Sequence, residues 1–264
     1  MTPVLGRTLA RERRPIIGWV VGVALISLIT VASWPAIAQS SADFEALMTN
    51  MPAALTAFFG EGIASFSAAA VVGSRLYGTI GMGLFIGYAV SRGARSIAGE
   101  EGDGTLELLV TLPVSRTAVA VDKIIAMMLG LAGLVVLELV ILVVAMPLAD
   151  LDFAIGNVLA ASTGLYLLSA VFGGLAFAVG AATGSRGAAV GIAGGLAGGL
   201  FLLTGFASLV DWLEPLSAVS PFSAYDGTVV LAEGLGWTTP VVFAVVTLLL
   251  MAAGVVVFDR RDLS

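Results

Sequence analysis

The sequence predicts an all-α integral membrane protein of six transmembrane helices, on three observations. Hydrophobic residues make up 59% of its 264 residues and charged residues only 11%, against roughly 25% charged in a soluble domain. Six separate stretches stay apolar over the ~20 residues that a helix needs to cross hydrocarbon. The basic residues gather in alternate loops between those stretches, which is the pattern a threaded bundle leaves in its sequence.

The stretches are expected at 16–38, 73–97, 118–146, 157–182, 187–210 and 238–258. Prolines 15, 35, 147 and 240 fall near their ends, where a missing N–H does least damage. Arg7, Arg11, Arg13 and Arg14 precede span one; Arg92, Arg95, Arg116 and Lys123 flank the loop after span two; Arg186 lies between spans four and five; Arg260 and Arg261 follow span six. These loops hold eleven of the twelve basic residues. By the positive-inside rule they, and both termini, are expected to be cytoplasmic. Arg75 is the exception on the other side, among Asp43, Glu45, Glu61, Asp150, Asp152, Asp211, Glu214, Asp226 and Glu233.

Span one has a rival reading. Arginines, an apolar run and "AIA" at 36–38 also describe a signal peptide cleaved after Ala38. Ile16 to Ala32 is 17 residues without a charge, longer than the ~7–15 of a signal peptide's apolar region, so length favours an uncleaved span. The segment 40–62 follows, where Phe44, Leu47, Met48, Met51, Leu55, Phe58 and Phe59 form a helical stripe. Asp43 and Asn50 suit N-caps and Pro52 a first turn. Two short amphipathic helices on the outer membrane surface are expected here, or else a plug buried between spans.

The stretch 99–116, "GEEGDGTLELLVTLPVSR", interrupts the apolar pattern. Glu100, Glu101 and Asp103 lack the alternating oxygen ligands of a calcium loop, and read as a solvated helix N-terminus with favourable dipole charge. Asp103, Gly104 and Thr105 supply capping and turning chemistry; Leu106 to Leu112 give two helical turns, closed by Pro113. Leu106, Leu109, Val110 and Pro113 share a face that Leu108 and Leu112 widen, leaving only Glu107 and Thr111 polar. So short a helix is marginal alone. Its leucines need a cover, either the membrane surface or another protein.

Span three carries Glu138, the one ionisable residue deep in an apolar stretch. A carboxylate at a helix centre costs about 2.5–3.5 kcal/mol, and the ten Leu, Ile and Val residues among 134–144 offset it at roughly 0.3–0.6 kcal/mol each. Such a residue faces the bundle interior or a water path, so Glu138 is a candidate for the transport pathway or for a structural hydrogen bond to a neighbouring helix. In span five, Gly187, Gly191, Gly195 and Gly199 recur every four residues, clearing one face for close approach of another backbone. That backbone could belong to the same subunit or to a second one. The last loop, 211–237, mixes apolar residues with acids and is expected to dip partly back toward the bilayer.

Much chemistry is absent. With no cysteine and no histidine, disulfides, zinc clusters, haem ligation and His-based catalysis are excluded. The sole lysine sits in "VDKII", so the chain has no phosphate loop. No catalytic, cofactor-binding or metal-binding residue is expected.

The quoted stretch resembles the segment after the second span of ABC-2-type exporter permeases, often E-x-G-T-L-E-x-L-L-x-x-P-V-S-R. "MPAALTAFFG" (51–60), "LSAVSPFSAYDG" (216–227) and "FDRRDL" (258–263) resemble further pieces of the family in the same order, and "GRTLARERRP" (6–15) resembles its N-terminal interfacial helix. The resemblance implies a single ABC-2-type transmembrane domain over 1–264 in a prokaryotic cell membrane, with an interfacial helix at 1–15. It implies a coupling helix within 99–116, where Asp103, Gly104, Thr105, Leu106, Glu107, Leu108, Leu109, Val110 and Pro113 dock into a separate ABC ATP-binding subunit. That subunit binds ATP and Mg; this chain needs no cofactor. A second permease, as homo- or heterodimer, and membrane lipid are the other partners expected, with no nucleic acid. Glu100, Glu101 and Asp103 make this segment more acidic than the family form, a feature suited to specifying its own ATPase. The competing readings are an ATP-independent secondary transporter, which would want more intramembrane charges and paired broken helices, and a membrane scaffold recruiting a cytoplasmic partner.

Overall fold

Lipid leaves helices no hydrophobic reason to associate, so a bundle of this composition is held by close packing and internal hydrogen bonds. The computed structural model describes residues 13–39, 67–102, 115–207, 209–210 and 212–261. Among them every regular element is helical, and six helices are long and apolar enough to cross a membrane: Pro15–Gln39, Ala68–Ser96, Arg116–Leu148, Ile155–Thr183, Arg186–Ala207 and Thr238–Arg260. The chain is an all-α, six-span membrane protein. The segment 40–66, with the surface helices expected there, and residues 103–114 of the coupling segment expected at 99–116 lie outside the described residues.

Span four is the hub, with 61% of its apolar stretch buried against 17% for span five. Small residues let its neighbours come close. A Cβ on Gly93 of span two would lie 2.3 Å from the Gly173 carbonyl oxygen, and one on Gly254 of span six 2.6 Å from the Phe177 ring. Spans two and four therefore meet backbone to backbone at the first crossing, and at the second the missing side chain of Gly254 leaves room for the Phe177 ring.

Local chemistry sets the ends. Ser115 Oγ accepts from Ala118 N at 3.2 Å and starts span three. Span four stops at Gly184, whose φ of +63° is left-handed and whose N–H donates to Gly180 O at 2.9 Å. Ser185 Oγ then accepts from Ala188 N at 3.2 Å, so two residues turn span four into span five. At ~1.5 Å per residue the 30-residue helix Arg116–Ala145 is about 45 Å long, more than the ~30 Å hydrocarbon thickness. Asp122 and Lys123 consequently fall near one end of the bundle, the end that also carries Arg92, Arg95, Arg186 and Arg261.

Span two begins differently from the continuous helix expected over 73–97. A short helix, Ala68–Val72, runs into a π-helical turn, Gly73–Gly78, before the main helix Ile80–Ser96. The turn is tied by Thr79 N and Thr79 Oγ1, which both donate to Ser74 O at 2.6 and 3.0 Å. Gly81 is required after it, since a Cβ there would lie 2.0 Å from Leu76 O. Arg75, the basic exception, donates from Nη1 to Ser33 Oγ of span one at 3.0 Å.

The last loop folds back onto this turn, where the helix Gly227–Glu233 meets Tyr77. Asp226 Oδ1 accepts from Thr228 N and Val229 N at 2.8 and 3.2 Å and caps the helix Gly227–Glu233. Gly227 sits so tightly on Tyr77 that a Cβ would come within 2.3 Å of it. Asn157, opening span four, donates to Leu231 O and Ala232 O at 3.3 and 2.9 Å. Tyr225 is buried and donates its hydroxyl to Ala161 O at 2.8 Å; burial pushes its phenol well above the ordinary value.

Candidate groove, coupling end and buried carboxylate

Spans two and five diverge along a groove of about 390 Å³. On span two it runs from Thr79 to Ser91, about 18 Å along the helix at ~1.5 Å per residue. Met82, Ile86, Val90 and Phe201 supply most of its wall, and Gly83, Gly87, Gly194 and Gly198 lower its floor. Its two span-two hydroxyls are already engaged: Thr79 Oγ1 donates to Ser74 O, and Ser91 Oγ donates to Tyr88 O at 2.9 Å. The wall therefore offers contact and little hydrogen bonding, which suits an apolar occupant.

One end of the groove is closed by Phe222, from the Ser-Pro-Phe stretch. Ser220 Oγ accepts from Phe222 N at 3.3 Å and pairs with Thr204 Oγ1 of span five at 2.7 Å. Phe222 then stacks on Phe172 of span four and meets Phe201 edge-on, both with centroids 5.6 Å apart. Sequence reasoning matched this stretch to the family without giving Phe222 a place. Its signal was the Ser-Pro pair, which caps and starts the short helix Pro221–Ala224.

The glycine stripe of span five faces outward. Nothing else lies within 4 Å of a Cβ built on Gly191, Gly195 or Gly199, and Gly187 would meet only Ser185 Oγ at 3.9 Å. Within the described residues of the subunit, this face packs against no other helix. The buried side of span five is the alanine row Ala189, Ala193 and Ala197.

Around the coupling segment the structure corrects one expectation. Glu100 and Glu101 begin the turn Ala98–Gly102 with the expected favourable dipole position, but they are not simply solvated. Glu100 is ion-paired with Lys123 of span three, which is only 5% exposed, and Glu101 is ion-paired with Arg261 after span six. The pairs join residues 23 and 160 positions apart. Arg261 also donates from Nη1 to Ala181 O of span four at 3.1 Å, while its own carbonyl accepts from Arg116 Nη1 at 2.7 Å. Thr117 Oγ1 donates to Asp259 Oδ1 at 3.2 Å beside them. Arg92, Asp122 and Lys123 are the buried charged residues at this end, and Arg92 lies 5.6 Å from the centroid of the Tyr88 ring. The residues Asp103 to Pro113 assigned to docking lie outside the described residues.

Glu138 is 1% exposed and inside the subunit. Its Oε2 accepts from Ser162 Oγ of span four at 3.3 Å, and Ser162 pairs with the Tyr77 hydroxyl of the π turn at 3.1 Å. It is not among the residues lining the groove. Among the described residues no group of three or more Asp or Glu is placed to hold a metal ion.

Residues 9–263 match the family model described as "ABC-2 family transporter protein". No curated protein and no solved structure matches the chain.

Proposed function

The chain belongs to the ABC-2 transporter family, as a multi-pass permease component that is not itself catalytic, and from this premise we propose that it is half of an ATP-driven exporter. Family membership implies association with an ABC ATP-binding subunit. In this reading the subunit binds ATP and Mg and is engaged by the coupling segment, with Leu106, Leu109 and Val110 filling its groove and Glu107 at the rim. The distribution of basic residues supports a cytoplasmic placement of both termini and the coupling segment.

The observation that carries the reading is the open glycine face of span five beside an apolar groove. A second permease copy, packed against Gly191, Gly195 and Gly199, closes the groove between spans two and five into a shared pathway. Glycine at this spacing permits the backbone approach such a contact needs. The apolar wall, with its hydroxyls already bonded, supports a lipophilic or amphiphilic substrate rather than a small ion. Phe222 sits at the end away from the coupling segment and marks where substrate leaves. Glu138 has a structural part, holding span three to span four and the π turn.

Vesicles containing the permease and its ATP-binding subunit test this. Expected is uptake of a lipophilic dye into inside-out vesicles that requires ATP and is lost without the subunit. Uptake driven by an ion gradient without ATP would establish a secondary transporter instead. Binding of the subunit with no transport of any apolar substrate would leave a scaffold.

A further inference from the structure

The "FDRRDL" ending has no part in the groove or in the docking face, yet its arginine sits where four pieces of chain meet. We propose that Arg261 is a positioning residue for coupling, tying both ends of the 103–114 segment to one another and to span four. The inference rests on that segment being the coupling element. Before the segment, Glu101 pairs with the Arg261 guanidinium; after it, Arg116 donates to the Arg261 carbonyl. The same guanidinium reaches Ala181 O at the end of span four, and Arg261 itself directly follows span six. A push on the segment is thereby delivered to spans three, four and six together, and not only to its covalent neighbours, spans two and three.

Two features separate this node from an ordinary surface ion pair, which contributes little. Arginine's planar fork holds a carboxylate and a carbonyl at once, where a lysine would hold one point contact. The chain also makes room for it: a Cβ on Gly184 would lie 2.3 Å from Arg261 Nη2 and 2.8 Å from both Glu101 carboxylate oxygens. Gly184 thus serves the left-handed turn and the clearance of the pair. A second strap, Glu100 to Lys123, fixes the same short helix to span three.

The test uses Arg261→Ala, Arg261→Lys and the exchange Glu101→Arg with Arg261→Glu, each in the full-length permease. The first readout needs no ATPase: amide hydrogen exchange at 98–102 and 116–119 in lipid nanodiscs. Arg261→Ala should exchange at least tenfold faster at 98–102 and to a smaller extent at 116–119, where the tie is to the main-chain carbonyl that the substitution keeps; the exchanged pair should recover part of the protection, and the middle of span four should not change. Unchanged exchange at both ends overturns the proposal. The second readout is transport per ATP hydrolysed with the ATP-binding subunit present. It should fall at least fivefold in Arg261→Ala with recruitment intact, less in Arg261→Lys, and rise again in the exchanged pair. Transport per ATP equal to the unmodified permease overturns the coupling role. If Arg261→Ala fails to insert, Arg261→Lys is read in its place. If the unmodified permease recruits no ATP-binding subunit, the exporter reading fails, while hydrogen exchange still decides whether Arg261 holds the node.

Discussion

Replacing Gly93 by alanine adds one methyl group where the backbones of spans two and four cross closely. The new Cβ would stand 2.3 Å from Gly173 O, 3.0 Å from Phe177 N and 3.1 Å from the Ala176 Cβ. Comfortable contacts between such atoms need roughly 3.5 Å, and two of the three obstacles are backbone. No rotamer change relieves the clash, so spans two and four must separate by about 1 Å. Overpacking of this kind costs about 1–3 kcal/mol. Alanine's better helix propensity offsets up to about 1 kcal/mol of it. Gly195→Ala gains the same propensity and meets nothing within 4 Å, so it is the matched control. Melting of the two variants in detergent, followed by the loss of monodisperse protein on heating, should show Gly93→Ala several degrees below the unmodified chain, at roughly 2–4 °C per kcal/mol. Gly195→Ala should sit at or above it. Equal stability of Gly93→Ala and the unmodified protein would refute the close crossing of spans two and four. A large loss in Gly195→Ala would refute the outward face of span five in the isolated subunit.

Three other outcomes are expected. Gly195→Leu, harmless inside the subunit, should lower the yield of crosslinked permease dimer in membranes; an unchanged yield would leave the stripe facing lipid. Glu138→Gln keeps an acceptor for Ser162 and the packed volume, so its melting should stay within a few degrees, whereas Glu138→Ala opens a cavity and orphans a buried hydroxyl, at a cost on the order of 2–5 kcal/mol. Altered substrate selectivity in the Gln variant would place Glu138 on the transport path. For orientation, a cysteine at Gly236 should react with an impermeant thiol reagent on intact cells and one at Ser115 should not. Gly236 is the better outer position because Gly234 has a φ of +91° that no cysteine adopts easily. Labelling of Ser115 from outside would reverse the topology.

The six spans were legible because a bilayer imposes one requirement, about 20 apolar residues, that loops do not meet. Their ends, expected at 118 for span three and 182 for span four, fall within two residues of the observed ones, which local chemistry sets: Ser115 caps span three with an atom three residues away, and Gly184 turns the chain after span four. Helix-face reasoning found the glycine stripe, yet a repeat of four says only that a face is clear. Whether a helix of the same subunit meets it is decided by packing, and here the alanine row Ala189, Ala193 and Ala197 takes the buried side and leaves the stripe outward. The π turn at Gly73–Gly78 was not anticipated, since the Thr79 bonds to Ser74 O that tie it and the close approach of Gly227 to Tyr77 leave no periodic signal in an apolar stretch. Glu100 and Glu101 were read as solvated because their partners lie 23 and 160 residues on. A charge pattern along the chain shows only near neighbours. Arg261 was read only as a charge that orients span six, for the same reason, although the family-like ending that holds it was noticed.

The central claim, that the 103–114 segment delivers the work of an ATP-binding subunit to these spans, is tested most directly at Leu109. Fully burying a leucine side chain contributes roughly 1.5–3 kcal/mol. Leu109→Asp loses that and leaves a poorly solvated charge at the contact, together more than the ~1.4 kcal/mol that makes a tenfold change in affinity. The measurement is co-purification of the ATP-binding subunit with the Leu109→Asp permease from membranes, scored beside ATP-dependent transport. No span is altered, so the variant should insert at the normal level, recruit at least tenfold less of the subunit, and transport correspondingly little. Glu107→Ala, a change at the rim, should do less. Normal insertion with undiminished recruitment and transport in Leu109→Asp would contradict the account, and would leave the leucines of this segment to the membrane surface.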